Sequence, residues 1–110
     1  MIDISKSLNF QQTIARPVSI NGIGLHSGVD VSMKLYPAKA DYGIKFIRKD
    51  LTNNNIIEAL WSNVTNTKLS TTISNQSGAS VSTIEHLMSA LSGLHIDNIK
   101  IEIDAPEVPI

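Results

Sequence analysis

Apolar and polar residues alternate along several short stretches of this chain, as they do in β-strands with one buried face. The clearest runs have their apolar residues at Val29, Val31, Met33 and Leu35, and at Ile99, Ile101 and Ile103. Weaker strands are predicted at 13–20, 44–46, 57–61 and 68–73. Pro37 ends the first clear run, and a turn-like segment, 38–43, follows it. We therefore expect this run to pair with the strand at 44–46 as a hairpin.

A helical period is present at 84–94, where apolar residues recur every three or four positions and form one stripe that should face a core. The members of this stripe are Ile84, Leu87, Met88, Leu91 and Leu94. Ser82 followed three residues later by Glu85 has the form of a capping box, which predicts that the helix begins there. Together these elements predict an α+β fold, with a mixed or antiparallel sheet and the helix packed on one face.

Composition limits the class of protein. The chain has 110 residues, a length typical of one domain with a modest core. Its formal net charge is −1 and its basic residues are scattered, which argues against a nucleic-acid-binding surface. It has no cysteine, so neither disulfides nor thiolate metal ligands are available. Segment 1–6 lacks the features of a signal peptide, and no run approaches the roughly 20 apolar residues of a membrane span, so we expect a cytoplasmic protein.

Glu85 and His86 lie off the apolar stripe, on a helix face whose other residues are small. Such a face suits the close approach of a ligand, a metal or another domain. The dipole at a helix N-terminus disfavours a positive charge, so it favours the neutral imidazole that a metal needs. The residues alone leave simpler interpretations open, in which Glu85 only caps the helix and His86 is only solvated.

The three histidines do not by themselves predict a complete metal site. His86 and His95 are nine positions apart, about 180° around an ideal helix, so they cannot share a metal. His26 could join His86 only if its loop folds over the start of the helix. That loop, 22–28, resembles a dinucleotide-binding glycine motif, but its third glycine is one position late and no βαβ unit follows. A tight turn is the alternative.

Four ordered segments, which together run from about residue 11 to the end of the chain, carry a family resemblance. They are QTIARPV at 12–18, GIGLHSG at 22–28, VSTIEHLMSALSGL at 81–94, and IDNI at 96–99 followed by APEVPI at 105–110. In this order and spacing the chain resembles the UDP-3-O-acyl-N-acetylglucosamine deacetylases. These are zinc enzymes of the committed step of lipid A synthesis in Gram-negative bacteria.

The resemblance implies a Zn²⁺ site in which His86 is one ligand and Glu85 is the general base of amide hydrolysis. The implied substrate is UDP-3-O-acyl-N-acetylglucosamine, which loses acetate. The residues expected to contact this substrate are His26, Lys68, Leu69 and Ser70. Ser70 stands where some members carry a cysteine, and it keeps the size and polarity of that side chain. Lys68 could meet an anionic diphosphate, although a solvated surface lysine is the simpler interpretation.

By the same resemblance, we expect residues 1–110 to be the N-terminal domain of a two-domain enzyme, with a ribosomal-protein-S5-like fold truncated before its second helix. The other zinc ligands and the leaving-group acid would then lie in the absent C-terminal domain. The fragment alone should be inactive, with an exposed sheet face that favours self-association. One alternative is a non-catalytic module that binds a nucleotide sugar or a protein. Another is a ribosomal-protein-like RNA binder, against which the scattered charge argues.

Overall fold

The computed structural model describes residues 10–110, so segment 1–6, for which no signal peptide is predicted, lies outside the described residues. The elements in chain order are β1 (Val18–Ile23), β2 (Asp30–Pro37), β3 (Ile44–Arg48), β4 (Ile56–Glu58), a 3-10 helix (Trp61–Asn63), β5 (Val64–Asn66), β6 (Thr72–Ser74), β7 (Ser80–Ser82), α1 (Glu85–Gly93) and β8 (Ile99–Ile103). Across this described part of the chain, no helix is long and apolar enough to cross a lipid bilayer.

Five strands form a mixed sheet in the order β1-β2-β8-β3-β4. Strands β3 and β8 run parallel, whereas the other neighbouring strands of this sheet are antiparallel. The alternation of β2 and β8 places one face of each in the core, as predicted. The residues buried there are Val31, Met33, Leu35, Ile99, Ile101 and Ile103. Val29 precedes β2 and remains exposed. The predicted α+β class is confirmed.

The predicted hairpin between β2 and β3 is wrong, because β8 lies between these two strands. Tyr36 on β2 pairs with Lys100 on β8, and Lys100 pairs on its other side with Lys45 on β3. Strand β8 carries three fully buried isoleucines, and a neighbour on each edge satisfies its backbone groups. Segment 38–43 therefore crosses the width of β8 to connect β2 with β3. Its turn-like sequence predicts only that the chain reverses, not how far apart the two strands lie.

Two weaker strands have other limits than predicted. The strand predicted at 13–20 begins only at Val18, because the preceding Pro17 has no amide hydrogen for a ladder. The strand predicted to include Trp61 already ends at Glu58. Trp61 instead starts the 3-10 helix, and its side chain is almost fully exposed. The apolar character of this residue therefore marks surface rather than core.

Strands β5, β6 and β7 form a second, antiparallel sheet, which we call the small sheet. The strand predicted at 68–73 is β6, and it begins only at Thr72 because the chain bends at 68–70. Ile73 and Val81, which pair across β6 and β7, are both buried in the core of the molecule. The small sheet thus shares that core with the large sheet and the helix.

A buried guanidinium connects the two sheets. Arg48, the last residue of β3, donates from Nη1 to the carbonyl oxygen of Ser80 in β7 at 2.9 Å. Its Nε and Nη2 donate to the Asp50 carboxylate at 2.8 and 2.6 Å. The hydrogen bond from Arg48 lowers the pKa of the Asp50 carboxyl, although partial burial opposes this effect.

Helix α1 begins at Glu85, with Ile84 as N-cap and no side-chain cap. The predicted capping box is therefore wrong. Ser82 belongs to β7, and its hydroxyl donates to the carbonyl oxygen of Pro106 at 3.2 Å. Between strand and helix the chain turns through Thr83, which has a φ of 59°. Ser82 is therefore held in strand β7, ahead of this turn, and it does not cap the helix as the sequence signature predicts.

The apolar stripe of the helix is confirmed except at its last position. The members that are buried, or partly buried against the core, are Ile84, Leu87, Met88 and Leu91. Leu94 is an exception, because α1 ends at Gly93 and leaves Leu94 exposed. Ile96 packs against the core instead. A 3.6-residue period predicts a face only as far as the helix continues.

Exposed apolar surface lies along β1 and at the β4 edge of the large sheet. The back of this sheet carries the polar residues Lys34, Lys45, Lys100 and Glu102, and also Ile56, which is 52% exposed. Val18 and Ile20 face the core side, since their partners on β2 are buried, yet they are 43% and 36% exposed. The helix therefore covers the core side only in part. The expected self-association stays a prediction.

Candidate functional site

An open pocket of about 260 Å³ lies between the loop that follows β1 and the small sheet. Its lining residues are His26, Asn66, Lys68, Leu69, Ser70, Thr72 and Ser82. This set includes all four residues predicted to contact substrate, and the fold brings them together from distant parts of the chain. Asn66, Thr72 and Ser82 add polar groups that sequence reasoning misses, because a single hydroxyl or amide in a short strand carries no signal of its own.

One rim of the pocket is the turn that joins β5 to β6. Asn66 ends β5, and its Oδ1 accepts a hydrogen bond from the Lys68 amide at 2.8 Å, as in an Asx turn. The pairing of β5 with β6 is irregular just before this turn, whereas the buried Ile73 anchors β6 behind it. The turn therefore presents Lys68 and Leu69 to solvent, and Leu69 is 84% exposed.

The opposite rim is the loop of residues 24–28, which we call the His26 loop. Its ends are joined by a hydrogen bond from the Gly28 N–H to the Gly24 carbonyl oxygen at 2.9 Å. Gly28 has a φ of 70°, a conformation that glycine adopts without strain. At Gly24 an added Cβ would collide with the carboxylate of Glu107. The tight turn predicted from the glycines is confirmed, and it leaves His26 exposed.

Glu107 is buried beneath the His26 loop, with 2% of its surface exposed. Its Oε1 accepts a hydrogen bond from the Ser27 N–H at 2.9 Å, and its Oε2 accepts one from the His26 N–H at 3.0 Å. The Thr83 hydroxyl also donates to Oε2, at 2.8 Å. Burial raises the pKa of this carboxyl, but hydrogen bonds from Ser27, His26 and Thr83 outweigh it and lower the pKa to about 2. The carboxylate is therefore charged at neutral pH.

Sequence reasoning misses Glu107. Its neighbours Ala105 and Val108 are buried, and prolines flank the segment. A lone carboxylate inside such an apolar run is the signal that could have identified it, because a buried charge requires hydrogen-bond donors. The sequence does not say which donors these are.

Glu85 and His86 lie in the first turn of α1, and both are exposed. Neither lines the 260 Å³ pocket, but the helix begins three residues after Ser82, which does. His95 lies apart from them in a separate groove beside Met88. The structure thus assembles the predicted substrate-contacting residues, and it places the predicted base and metal ligand on an exposed helix start three residues along the chain from the pocket residue Ser82.

Comparison with known proteins identifies the family. Residues 11–110 match the family of UDP-3-O-acyl N-acetylglycosamine deacetylases. The chain belongs to this family. The match covers nearly the whole chain, so the resemblance drawn from the four ordered motifs is confirmed.

Individual deacetylases of this family are similar to the chain over the same region. The UDP-3-O-acyl-N-acetylglucosamine deacetylase of Geobacter sp. (strain M21) is 55% identical over 101 residues, which are 92% of this chain and 33% of the relative. That of Syntrophus aciditrophicus (strain SB) is 48% identical, over 92% of this chain and 32% of the relative. That of Myxococcus xanthus (strain DK1622) is 47% identical, over 91% and 32%. The chain spans about a third of the length of these curated relatives.

The zinc implied by the deacetylase resemblance can be tested against the side chains present. A catalytic zinc ion takes three protein ligands and keeps one position open. Within residues 10–110, no three His, Asp or Glu side chains come together as such a group. His86 is exposed at the start of α1, so its imidazole fits the role of one ligand in a site that other residues complete. The described residues therefore fit part of a zinc site.

Proposed function

We propose that residues 1–110 form the N-terminal domain of a zinc-dependent deacetylase. Its reaction would be hydrolysis of the N-acetyl group of UDP-3-O-acyl-N-acetylglucosamine with release of acetate, the committed step of lipid A synthesis. The observation that carries this proposal is the family match over residues 11–110, joined by relatives that bear the enzyme's name. A cytoplasmic location in a Gram-negative bacterium is part of the proposal.

Glu85 and His86 carry the chemistry in this proposal. His86 would hold the zinc through its imidazole, and the neighbouring Glu85 carboxylate would accept a proton from the attacking water. When bound, zinc activates that water and stabilises the tetrahedral oxyanion. The exposure of both side chains leaves room for substrate.

The pocket between the His26 loop and the small sheet is proposed to receive a polar part of the substrate. Lys68 would meet a diphosphate oxygen, His26 and Ser70 would contact polar groups, and Leu69 would cover an apolar one. These functions suit the ammonium, imidazole, hydroxyl and isobutyl groups at the rim. The volume of about 260 Å³ is below the ~300–1,000 Å³ of complete ligand sites, which agrees with a site shared with another domain.

A C-terminal domain of the same enzyme is the proposed partner. It would supply the remaining zinc ligands and the acid that protonates the leaving amine. Support comes from the length of the relatives, of which this chain spans 33% and 32% in the examples above. On this proposal the 110-residue chain alone has no deacetylase activity.

The test is to join residues 1–110 to the remaining two thirds of the Geobacter sp. (strain M21) relative. We expect this chimaera to release acetate from UDP-3-O-acyl-N-acetylglucosamine, and we expect the isolated chain to release none. A chimaera carrying Asp41→Asn, a change on an exposed turn away from the pocket, is the control and should keep full activity. A folded, zinc-loaded chimaera that binds the substrate without releasing acetate would overturn the proposal in favour of a binding module.

A further inference from the structure

The C-terminal segment 106–110 runs between the two elements that carry the candidate site. On one side, Gly24 bridges Pro109, and the Ile110 N–H donates to the Ile23 carbonyl oxygen at 3.1 Å. On the other side, the Ser82 N–H donates to the carbonyl oxygen of Pro106 at 2.8 Å. The segment therefore joins the end of β1 to the end of β7, and Glu107 lies in the middle of it.

From this arrangement we infer that Glu107 is a positioning residue, which fixes the His26 loop relative to the start of helix α1. One oxygen of its carboxylate, Oε2, accepts hydrogen bonds from both elements, the His26 N–H at 3.0 Å and the Thr83 hydroxyl at 2.8 Å. The other oxygen, Oε1, binds the Ser27 N–H at 2.9 Å. The role in substrate binding rests on the function proposed above for His26.

The His26 loop is shaped to receive this carboxylate. An added Cβ at Gly24 would collide with both the Ser27 hydroxyl and the Glu107 carboxylate, so the loop backbone lies directly against the acid. The amides of His26 and Ser27 point to the carboxylate while the His26 side chain reaches the pocket. Backbone contacts thus place an imidazole that is itself exposed.

The start of the helix needs the same carboxylate for another reason. Thr83 has a φ of 59°, in a region that a β-branched residue rarely adopts. Such a conformation persists only when its surroundings hold it. Thr83 is buried, and its hydroxyl is bound by Glu107. Glu85 and His86 follow two and three residues later.

Simple packing does not account for a carboxylate at this position. Within residues 10–110, no lysine, arginine or histidine side chain forms an ion pair with Glu107. A buried charge without a counter-ion is expensive, and an apolar side chain of similar size would serve a core better. The donors that compensate the charge of Glu107 all come from the His26 loop and from Thr83.

The first test measures the link itself, in the 110-residue chain, by amide hydrogen exchange in NMR spectra. Glu107→Gln places an NH₂ group among donors, so exchange at His26 and Ser27 should become at least about tenfold faster relative to the core amide of Ile101. Glu58→Gln removes the same charge from an exposed position on β4 that forms no ion pair within residues 10–110, and it should change neither ratio. Unchanged or uniformly faster exchange in Glu107→Gln would overturn the inference.

A second variant keeps the test decisive if Glu107→Gln does not fold. Thr83→Val replaces the hydroxyl by a methyl group, so the Met88 amide, which donates to the Ile84 carbonyl oxygen at 2.9 Å in the first turn of α1, should exchange faster while the amides of His26 and Ser27 keep their protection. Equal loss of protection at all three amides would contradict a carboxylate that holds two separate elements. Partial recovery in Glu107→Asp of the protection lost in Glu107→Gln would show that the charge is needed.

The functional readout uses the chimaera described above. Because His26 is placed at the substrate pocket, Glu107→Gln should raise KM by about tenfold and change kcat less, with zinc content unchanged. Local exchange that is faster without any change in KM would reduce Glu107 to a structural residue and overturn the positioning role. An inactive parent chimaera would count against the proposed function alone, since the exchange ratios are measured without substrate.

Discussion

The two neighbouring residues Glu85 and His86 have different proposed roles. Glu85 is the acid–base group, and His86 is the metal ligand. Both are exposed in the first turn of α1, so neither packs into the core and each can be changed without opening a cavity. Their effects on catalysis and on metal content can therefore be separated by substitution, which is the sharpest check on the assigned roles.

In the chimaera, His86→Ala should lose both zinc and activity. Glu85→Gln should keep its zinc and lose about 10²–10⁴-fold in kcat, the usual contribution of a general base. The measurements are metal content and acetate release. His95→Asn is the matched control, since it removes a histidine from a separate groove and asparagine tolerates the φ of 58° found there. Zinc retained in full by His86→Ala would remove this residue from the metal site.

The acidity of Glu107 predicts how stability depends on pH. Its pKa is lowered in the folded chain from 4.5 to about 2, so the folded state favours the charged form. Its contribution to the free energy of unfolding is complete above pH 4.5 and is lost as pH falls towards 2. In urea unfolding, the free energy of unfolding of the wild-type chain should therefore be well above that of Glu107→Gln at pH 6. The difference between the two free energies should narrow by pH 3. A gap that is constant with pH would contradict the charged, hydrogen-bonded carboxylate.

Sequence patterns predict some of these residues and not others, for a physical reason. His26, Lys68, Leu69 and Ser70, which the family resemblance singles out, lie around one pocket, and their contact with substrate stays a prediction. The donors of Glu107 could not be predicted, because they are two backbone amides and a hydroxyl that lie 24 to 81 positions away in the chain. Backbone donors leave no trace in the amino-acid sequence.

At the scale of elements, local signals identified strands and the helix but not their neighbours. The alternation in β2 and β8 predicted their buried faces correctly. The insertion of β8 between β2 and β3 depends on which strand is buried most completely, and that is decided by the whole sheet. The Ser82–Glu85 signature failed similarly, because Ser82 forms hydrogen bonds in β7 and with segment 106–110.

The close approach of the His26 loop to segment 106–110 predicts a strong effect at one glycine. Gly24→Ala should lower the free energy of unfolding by about 1–3 kcal/mol, because the new Cβ has no room beside Ser27 and Glu107. Gly93→Ala is the matched control. It lies in α1 with nothing near the new Cβ, so it should be neutral or stabilising by up to about 1 kcal/mol. Urea unfolding measures both, and equal stabilities would refute the tight contact.

For the whole molecule, the arrangement of ligands predicts weak metal binding by the chain alone. Within residues 10–110 no group of three ligands forms, so His86 would bind zinc nearly alone. Competition with a chromophoric chelator should give an affinity far below the ~10–16 kcal/mol of structural zinc sites. Tight one-to-one binding that is lost in His86→Ala would mean that the chain builds its own site, and the shared-site account would be wrong.

The sheet-to-sheet contact of Arg48 makes the two sides of the pocket unequal. Strand β7 is secured at Ser80 by this guanidinium and at Ser82 by segment 106–110. The other edge of the small sheet, β5 with the turn at Lys68, is paired on one side only and faces solvent. The small sheet is thus fixed along β7 and free along β5. Ligands of different width should therefore displace the turn at Lys68 outward, while the imidazole of His26 keeps its place.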